Sequence, residues 1–379
     1  MSLILCNARL VLPDRVLHGS LKIESAVIVQ IDAGGGVPHD GIDLQGCYLI
    51  PGLVDLHSDN LEKTFAPRPN VKWPPLGAAL AHDAAVIGSG ITTVLNSLSL
   101  AGMANGVDRA EMLRPMIEGL EAARARAALR AEHLLELRCE IGKADIVERY
   151  RPFENNPLVR VVSLMDHMPG QRQYTTREMW LAAYRPKTLL SPQALEANME
   201  RGIAERDMHG PTNYLRLAKL ARARSIPIAS HDDSTIGHVD EAVAAGAAIS
   251  QFPTTAEAAS RAHALGLSVL MGAPNIVRQK SHVGNLSAQE CALRGELDIL
   301  ASDYVPASLL HAAFALTRDP VGLPLPQAIA IVSRNPALAV GLEDRGVIAI
   351  GKRADLVQVH DEGSHPIVQQ VWSAGRRVH

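Results

Sequence analysis

Histidines and carboxylates recur in this chain at the ends of short apolar runs, a placement that suits metal ligation and acid–base chemistry at a shared rim. His57 and Asp59 follow LVDL, Glu140 ends HLLELRCE, and Asp166 and His167 end VRVVSLMDH. His231, Asp232 and Asp233 follow IPIAS, and Asp303 ends LDILASD. One histidine at a strand end is more often a satisfied structural group than a ligand. Several of them converging, with carboxylates that are costly to bury unless a cation answers them, point to a metal site.

Such residues need a scaffold that gathers strand ends. Between Pro51 and about Val340, apolar runs alternate with helical segments, the signature of βαβ units and a parallel sheet. Eight candidate strands are legible: LVDLH, TTVLNSL, HLLELRCE, VRVVSLMDH, IPIASH, AAISQF, LSVLMG and LDILASD. Eight repeats over roughly 285 residues match a closed (β/α)8 barrel, whose sites lie at the C-terminal strand ends. An open doubly wound sheet is the runner-up, although the first βα turn has no GxGxxG.

The flanks read differently. From Leu3 to Leu49, and again from GVIAI at Gly346 through LVQVH and IVQQVWSAGRRV, short strands are separated by Gly, Pro and Asp turns. Each piece is too small to bury a core alone. Residues 1–50 and 341–379 are therefore expected to join into one composite β-sandwich, with the barrel over residues 51–340. Two separate additions to the barrel edge are the competing arrangement. The fold class is α/β, a metal-dependent (β/α)8 TIM barrel with a small β-sandwich.

Composition narrows the function. The 379 residues are 47% hydrophobic but only 3% aromatic, which suits helices packed on buried parallel strands. A net charge of -3 with dispersed signs leaves no basic face for nucleic acid and no polybasic membrane anchor. The Ala- and Arg-rich stretch from Asp108 to Ala131 is expected to be a helix with a solvated charged face. Cys6, Cys47, Cys139 and Cys291 lie far apart and read as reduced thiols. MSLILCNARLVLP has no basic n-region, and no apolar run reaches about 18 residues, so a cytoplasmic location is expected.

Parity within the third strand sharpens the metal reading. Glu136, Arg138 and Glu140 share one face and Leu135, Leu137 and Cys139 the other, so the charged face is expected to line the barrel lumen. Mixed imidazole and carboxylate donors suit Zn2+, Mn2+ or Fe2+ and not Ca2+.

These residues also carry a resemblance. LIPGLVDLHSDN resembles the first-strand motif of the amidohydrolase superfamily, and GVIAIGKRADLVQVH with VQQVWSAGRRV is similar to its C-terminal signature. More narrowly, HSDNLEKTFAPRPNVKWP, LRCEI, SLMDHMPGQRQY, ASHDDST, QFPTTAEAA, MGAPNIVRQKSHVGNLSA and LASDYVPASLL resemble the PhnM-type triphosphate diphosphohydrolases of alkylphosphonate utilisation, over nearly the whole chain. The resemblance implies a metal site from His57, Asp59, Glu140, His231 and Asp303, with His167 as a sixth member and Glu140 placed to bridge two ions. It implies one or two divalent ions, Zn2+ first. The superfamily's HxH is HSD here, and Gln251 stands where many members place a metal histidine, so the count stays open. Asp303 is the candidate to take the proton of an attacking water, against a role as ligand or helix cap alone.

Two further segments supply cations and donors for a polyphosphate: Asn60, Lys63 and Arg68 after the first strand, and Asn275, Arg278, Lys280 and His282 after the seventh. Arg172 and Tyr174 add to the wall after the fourth. With no GxxxxGK[ST] loop, side chains and metal must do the gripping. The resemblance implies α-D-ribose 1-methylphosphonate 5-triphosphate or a close alkyl analogue as substrate, cleaved to the 5-phosphate and pyrophosphate. It also implies partner enzymes of a pathway and a homo-oligomer. Two rivals stay open, a C–N hydrolase of the deacetylase or cyclic-amidase type and a catalytically silent scaffold.

Overall fold

The computed structural model describes residues 2–104, 107–188, 190–278, 285–363 and 365–379. All eight expected barrel strands form: β1 (Leu53–Ser58), β2 (Ile91–Ser99), β3 (Glu132–Glu140), β4 (Val159–Met165), β5 (Ile228–His231), β6 (Ala247–Gln251), β7 (Ser268–Gly272) and β8 (Ile299–Ala301). They pair in chain order and in parallel. All nine residues of β2 are buried, as a strand covered on both faces requires.

The row of strands nearly closes. Ser58 bridges Asp303, the Asp303 N–H donates to the His57 carbonyl at 2.9 Å, and the Asp59 N–H donates to the Asp303 carbonyl at 2.8 Å. The seam thus runs through three of the candidate ligands. An open doubly wound sheet is excluded by this contact between first and last strands.

Helices over Pro75–Gly88, Arg109–Ala125, Pro192–Ala223, Ile236–Ala245 and Ala256–Ala264 follow β1, β2, β4, β5 and β6. Asp108, Ser191, Thr235 and Thr255 cap four of them, each side chain accepting a first-turn backbone N–H that has no carbonyl partner inside the helix.

The flanks combine into one mostly antiparallel sheet of eight strands. Ser2–Val11, Val16–Glu24, Val27–Ala33, Gly41–Asp43 and Tyr48–Pro51 come from one end, and Leu356–Asp361, Pro366–Ser373 and Arg376–Arg377 from the other. Tyr48–Pro51 pairs with Leu356–Asp361 and joins the halves, which excludes two separate additions. One face, with Val11, Ile50, Val357 and Val371, packs on the barrel layer beside Val86, Ile87 and Ala312. The other face has its own core of Leu5, Leu10, Leu21, Ile28, Leu356 and Trp372.

GVIAI is not a strand, contrary to the sequence expectation. Gly346 takes φ 82° and lies so close to Ser333 that a Cβ would stand 2.8 Å from the Ser333 carbonyl oxygen. That left-handed turn holds the segment close to Ser333, and Ile348 enters the core of the sheet without pairing as a strand.

Beneath the barrel, Glu132 at the start of β3 receives Arg345 Nη1 and Arg353 Nη1, each at 2.6 Å. Arg345 also bonds Asp344, and Arg353 bonds Asp355. This network ties the C-terminal segment to the floor. All four cysteines are free and buried. Among the described residues no helix is long and apolar enough to cross a membrane.

Candidate metal centre

Two donor sets stand at the C-terminal mouth of the barrel. The first is His57, Asp59 and Asp303, from the ends of β1 and β8, and the second is His167, His231 and Asp232, from β4 and β5. Within each, one donor atom per residue lies within 4.8 Å of the others. The His57 and His231 rings are 6.1 Å apart, so the sets adjoin. Asp303 and Asp232 take φ 56° and 57° just past their strands. Left-handed backbone is unusual for residues with a Cβ, and it marks the places where the chain turns a carboxylate back over the mouth.

The surroundings orient each ligand. His57 Nδ1 is 2.8 Å from Glu136 Oε2, and Ser97 Oγ donates to that same oxygen at 2.5 Å. With the proton on Nδ1 held by Glu136, Nε2 faces Asp59 at 3.6 Å. Arg138 donates to Asp59 Oδ1 at 2.9 Å. His231 Nδ1 is 2.7 Å from Asp232 Oδ2, and His167 Nε2 lies 3.4 Å from the same oxygen. As alternation along β3 predicts, Glu136 and Arg138 both work inside the lumen while Leu135, Leu137 and Cys139 pack outward in the core.

Electrostatics show what this arrangement lacks. Burial favours a neutral His57, yet Glu136 and Asp59 push its pKa up to about 9. Burial likewise opposes charge on His167, but Glu140 and Asp232 push it to about 9. Burial, and then the neighbouring Asp59, push Asp303 up to about 6. Rings drawn to protons and a carboxyl drawn toward its acid form report an excess of buried negative charge. A divalent cation would answer that excess.

His231 points the same way, because burial lowers its pKa and, among the described residues, its buried Nε2 has no hydrogen-bond partner. An unpartnered imidazole nitrogen beside two further donors is what a metal ligand looks like before the ion is added. The donor sets fit a divalent metal.

The structure distributes the expected residues unevenly. Glu140, read from sequence as a bridging ligand, has both oxygens engaged by His167, one by its backbone N–H at 2.8 Å and one by Nδ1 at 2.7 Å, and lies outside both donor sets. Asp232, a rim candidate next to His231 but outside the ligand set that the resemblance implies, is inside one. Gln251 packs against His57, its side-chain nitrogen 3.0 Å from Nδ1, and accepts from Ser163 Oγ at 3.0 Å.

Lys63 Nζ donates to the Tyr304 carbonyl at 3.0 Å, and Arg278 Nη1 reaches the Tyr304 hydroxyl at 3.4 Å, which brings the two cationic segments to one place beside Asp303. Asn60 bonds His82 at 3.0 Å, Arg68 is exposed on its loop, and Asn275 is half-buried. Lys280 and His282 lie outside the described residues. Arg172 departs from its expected place on an open wall. It is buried, pairs with Asp233 and donates to the His231 carbonyl at 3.1 Å, so it stiffens the strand end that carries His231.

Tyr174 sits 6.4 Å from the His167 ring and 5.9 Å from Tyr184, which stacks on Trp180 at 4.2 Å. Sequence reading missed Tyr184 because it belongs to a short helix, Arg177–Tyr184, with no strand end to mark it. It also missed Arg109, whose guanidinium is not on a solvated face: Nε bonds the buried carboxylate of Glu62 at 2.9 Å.

A nearly closed parallel barrel with His and Asp donors at its mouth and a sheet built from both chain ends defines an architecture of metal-dependent hydrolases. The amidohydrolase family model matches residues 85–379, and the chain belongs to that metal-dependent family. It is 44% identical over 377 residues, 99% of this chain and 100% of the relative, to the alpha-D-ribose 1-methylphosphonate 5-triphosphate diphosphatase of Escherichia coli (strain K12). Among solved structures, the N-acetylglucosamine-6-phosphate deacetylase of Pasteurella multocida shares the fold with a TM-score of 0.61 at 14% identity, over 100% of both chains. The 5-methylcytosine deaminase of Klebsiella pneumoniae does so with a TM-score of 0.65 at 14% identity, over 100% of this chain and 98% of that one.

Proposed function

We propose that this chain is a divalent-metal-dependent diphosphatase that cleaves α-D-ribose 1-methylphosphonate 5-triphosphate, or a close alkyl analogue, to the 5-phosphate and pyrophosphate. The observation that carries the reading is the union at one mouth of two histidine–carboxylate donor sets with Lys63, Arg138 and Arg278 around the Asp59–Asp303 side. The similarity to the Escherichia coli enzyme over the full length supports the choice of substrate.

His57, Asp59 and Asp303, and His167, His231 and Asp232, are the residues that would hold metal, Zn2+ by preference for mixed imidazole and carboxylate donors. Bound there, a divalent cation supplies a nucleophile at neutral pH and Lewis acidity toward a phosphoryl oxygen. Asp303, whose carboxyl is raised to about 6 by burial and by Asp59, is ionised at neutral pH yet more basic than a free carboxylate; it takes the proton of the attacking water and returns it to a leaving oxygen. Glu136 keeps His57 in one orientation, and Glu140 does the same for His167. Lys63 and Arg278 face the phosphate chain, and Tyr174 and Tyr184 close the β4 side. A cytoplasmic location accords with a highly charged substrate that does not cross a membrane unaided.

The test is pyrophosphate release from the ribosyl triphosphate by metal-reconstituted protein, with ATP and an N-acetylated sugar as parallel substrates. Release that stops on chelation is expected. Acetate from the sugar, without pyrophosphate from the triphosphate under several metals, would move the assignment to amide hydrolysis.

A further inference from the structure

Arg109 opens the helix Arg109–Ala125 that follows β2, in the stretch whose arginines the composition suggested were solvated. Others on that helix are: the Arg114 and Glu118 side chains are 81% and 58% exposed. Arg109 is different. Its backbone N–H donates to the Gly102 carbonyl at 2.9 Å, and its Nε donates to Glu62 Oε2 at 2.9 Å. Glu62 lies in the short helix Asn60–Phe65 that leaves β1 directly after Asp59.

The Glu62 side chain is only 6% exposed, whereas the Arg109 side chain is 29% exposed. Burying a carboxylate is costly, and a surface ion pair alone would return little of that cost. What the pair does achieve is to fix the guanidinium plane through Nε, with the buried partner beneath it. Arg109 stands at the mouth end of the barrel: Glu62 sits in the helix that begins right after the candidate ligand Asp59, its other carboxylate oxygen accepts from the backbone N–H of Ser99, the last residue of β2, at 3.5 Å, and Arg109 follows β2 on that same rim.

We infer that Arg109, locked in orientation by buried Glu62, is a substrate-binding residue that grips phosphate oxygens of the triphosphate beside the His57–Asp59–Asp303 donor set. The inference rests on the diphosphatase reading and deepens it by naming a grip that neither strand-end pattern nor loop composition revealed. A guanidinium tethered at Nε keeps its two terminal nitrogens in one plane, the geometry that suits bidentate contact with a phosphate. Glu62 is a positioning residue that acts through Arg109.

The experiment measures steady-state kinetics on the ribosyl triphosphate, bound metal, melting temperature, and calorimetric binding of inorganic pyrophosphate with metal in excess. Arg109→Met is expected to raise KM by roughly tenfold or more and to weaken pyrophosphate binding in step, with metal content unchanged. Arg109→Lys should recover part of the loss, since it keeps the charge without the fork. Glu62→Gln should fall between wild type and Arg109→Met. Because Arg109→Met leaves Glu62 buried and unpaired, the double variant Glu62→Gln with Arg109→Met removes both charges and controls for stability. Arg114→Met serves as the neutral control. Wild-type KM and pyrophosphate affinity in Arg109→Met and the double variant would overturn the inference and make the pair a staple between two helices. If wild-type protein released no pyrophosphate, the functional reading would fall. Loss of pyrophosphate binding in Arg109→Met would then still support the anion grip, and unchanged binding would remove it.

Discussion

The two ends of the barrel both bury charge, and they handle it in opposite ways. At the floor, Glu132 is answered by Arg345 and Arg353, and these in turn by Asp344 and Asp355. Nearby, Asp83 accepts from the Arg130 side chain and from the backbone N–H groups of Arg130 and Ala131, each at 2.9 Å. Each buried acid there has its cation or donor. At the mouth, Asp59, Asp232, Asp303, Glu136 and Glu140 meet Arg138 and three imidazoles, with Lys63 and Arg278 exposed at the edge, and among the described residues the imidazole Nε2 of His231 has no hydrogen-bond partner. A balanced set of buried charges is a fastening, while an unbalanced set is a site waiting for a ligand. This agrees with the general division of barrels of this type into a stabilising bottom and a catalytic top.

The comparison breaks first at the mouth. Asp59→Ala should lose metal and lower pyrophosphate release by at least about a hundredfold, with the fold retained by circular dichroism. Wild-type metal content in that variant would remove Asp59 from the centre. At the floor the outcome should invert: Arg345→Met leaves Glu132 short of a buried partner and should destabilise by about 2–3 kcal/mol in urea unfolding, with turnover per folded molecule unchanged. A variant that lost turnover and kept stability would erase the distinction.

A smaller effect is expected from pH. Burial raises the Asp83 carboxyl, but His133 and the donors from Ala131 and Arg130 outweigh it and bring it down to about 2, from an ordinary 3.8. Since the folded value lies below the unfolded one, this contribution is complete above about pH 4 and disappears as pH falls through about 2. Asp83→Asn should flatten that acid limb and cost about 1–2 kcal/mol at neutral pH, read from melts across pH. The smallest effect belongs to Lys63→Met. Its exposed ammonium should change KM only a few-fold and leave kcat and metal content alone. A large fall in kcat would place Lys63 at the reacting atoms.

Much of this was legible in one dimension. All eight barrel strands could be found because strands buried on both faces read as apolar runs, and their C-terminal punctuation by His and Asp survives in sequence. Parity put Glu136 and Arg138 in the lumen because a strand alternates faces with period two. GVIAI misled, since an apolar run is the same whether it pairs with a strand or is turned aside by a left-handed glycine at Gly346. Arg172 misled as well, because a loop arginine and a buried one have the same letter.

By itself, then, the sequence determined the barrel, the pairing of its two ends into one sheet, and the set of rim residues from which a metal centre is drawn. Those features follow from local periodicity and residue type. Tertiary structure alone decided that Asp232 joins His231 and His167, that Glu140 bonds His167 from outside the two donor sets, and that Glu62 pairs with Arg109. These are contacts between residues far apart in the chain, such as His167 with Glu140 and with Asp232, or are set by a single φ angle at Asp232. Charge balance at such distances depends on where closed strands bring their ends, and that is a property of the assembled barrel.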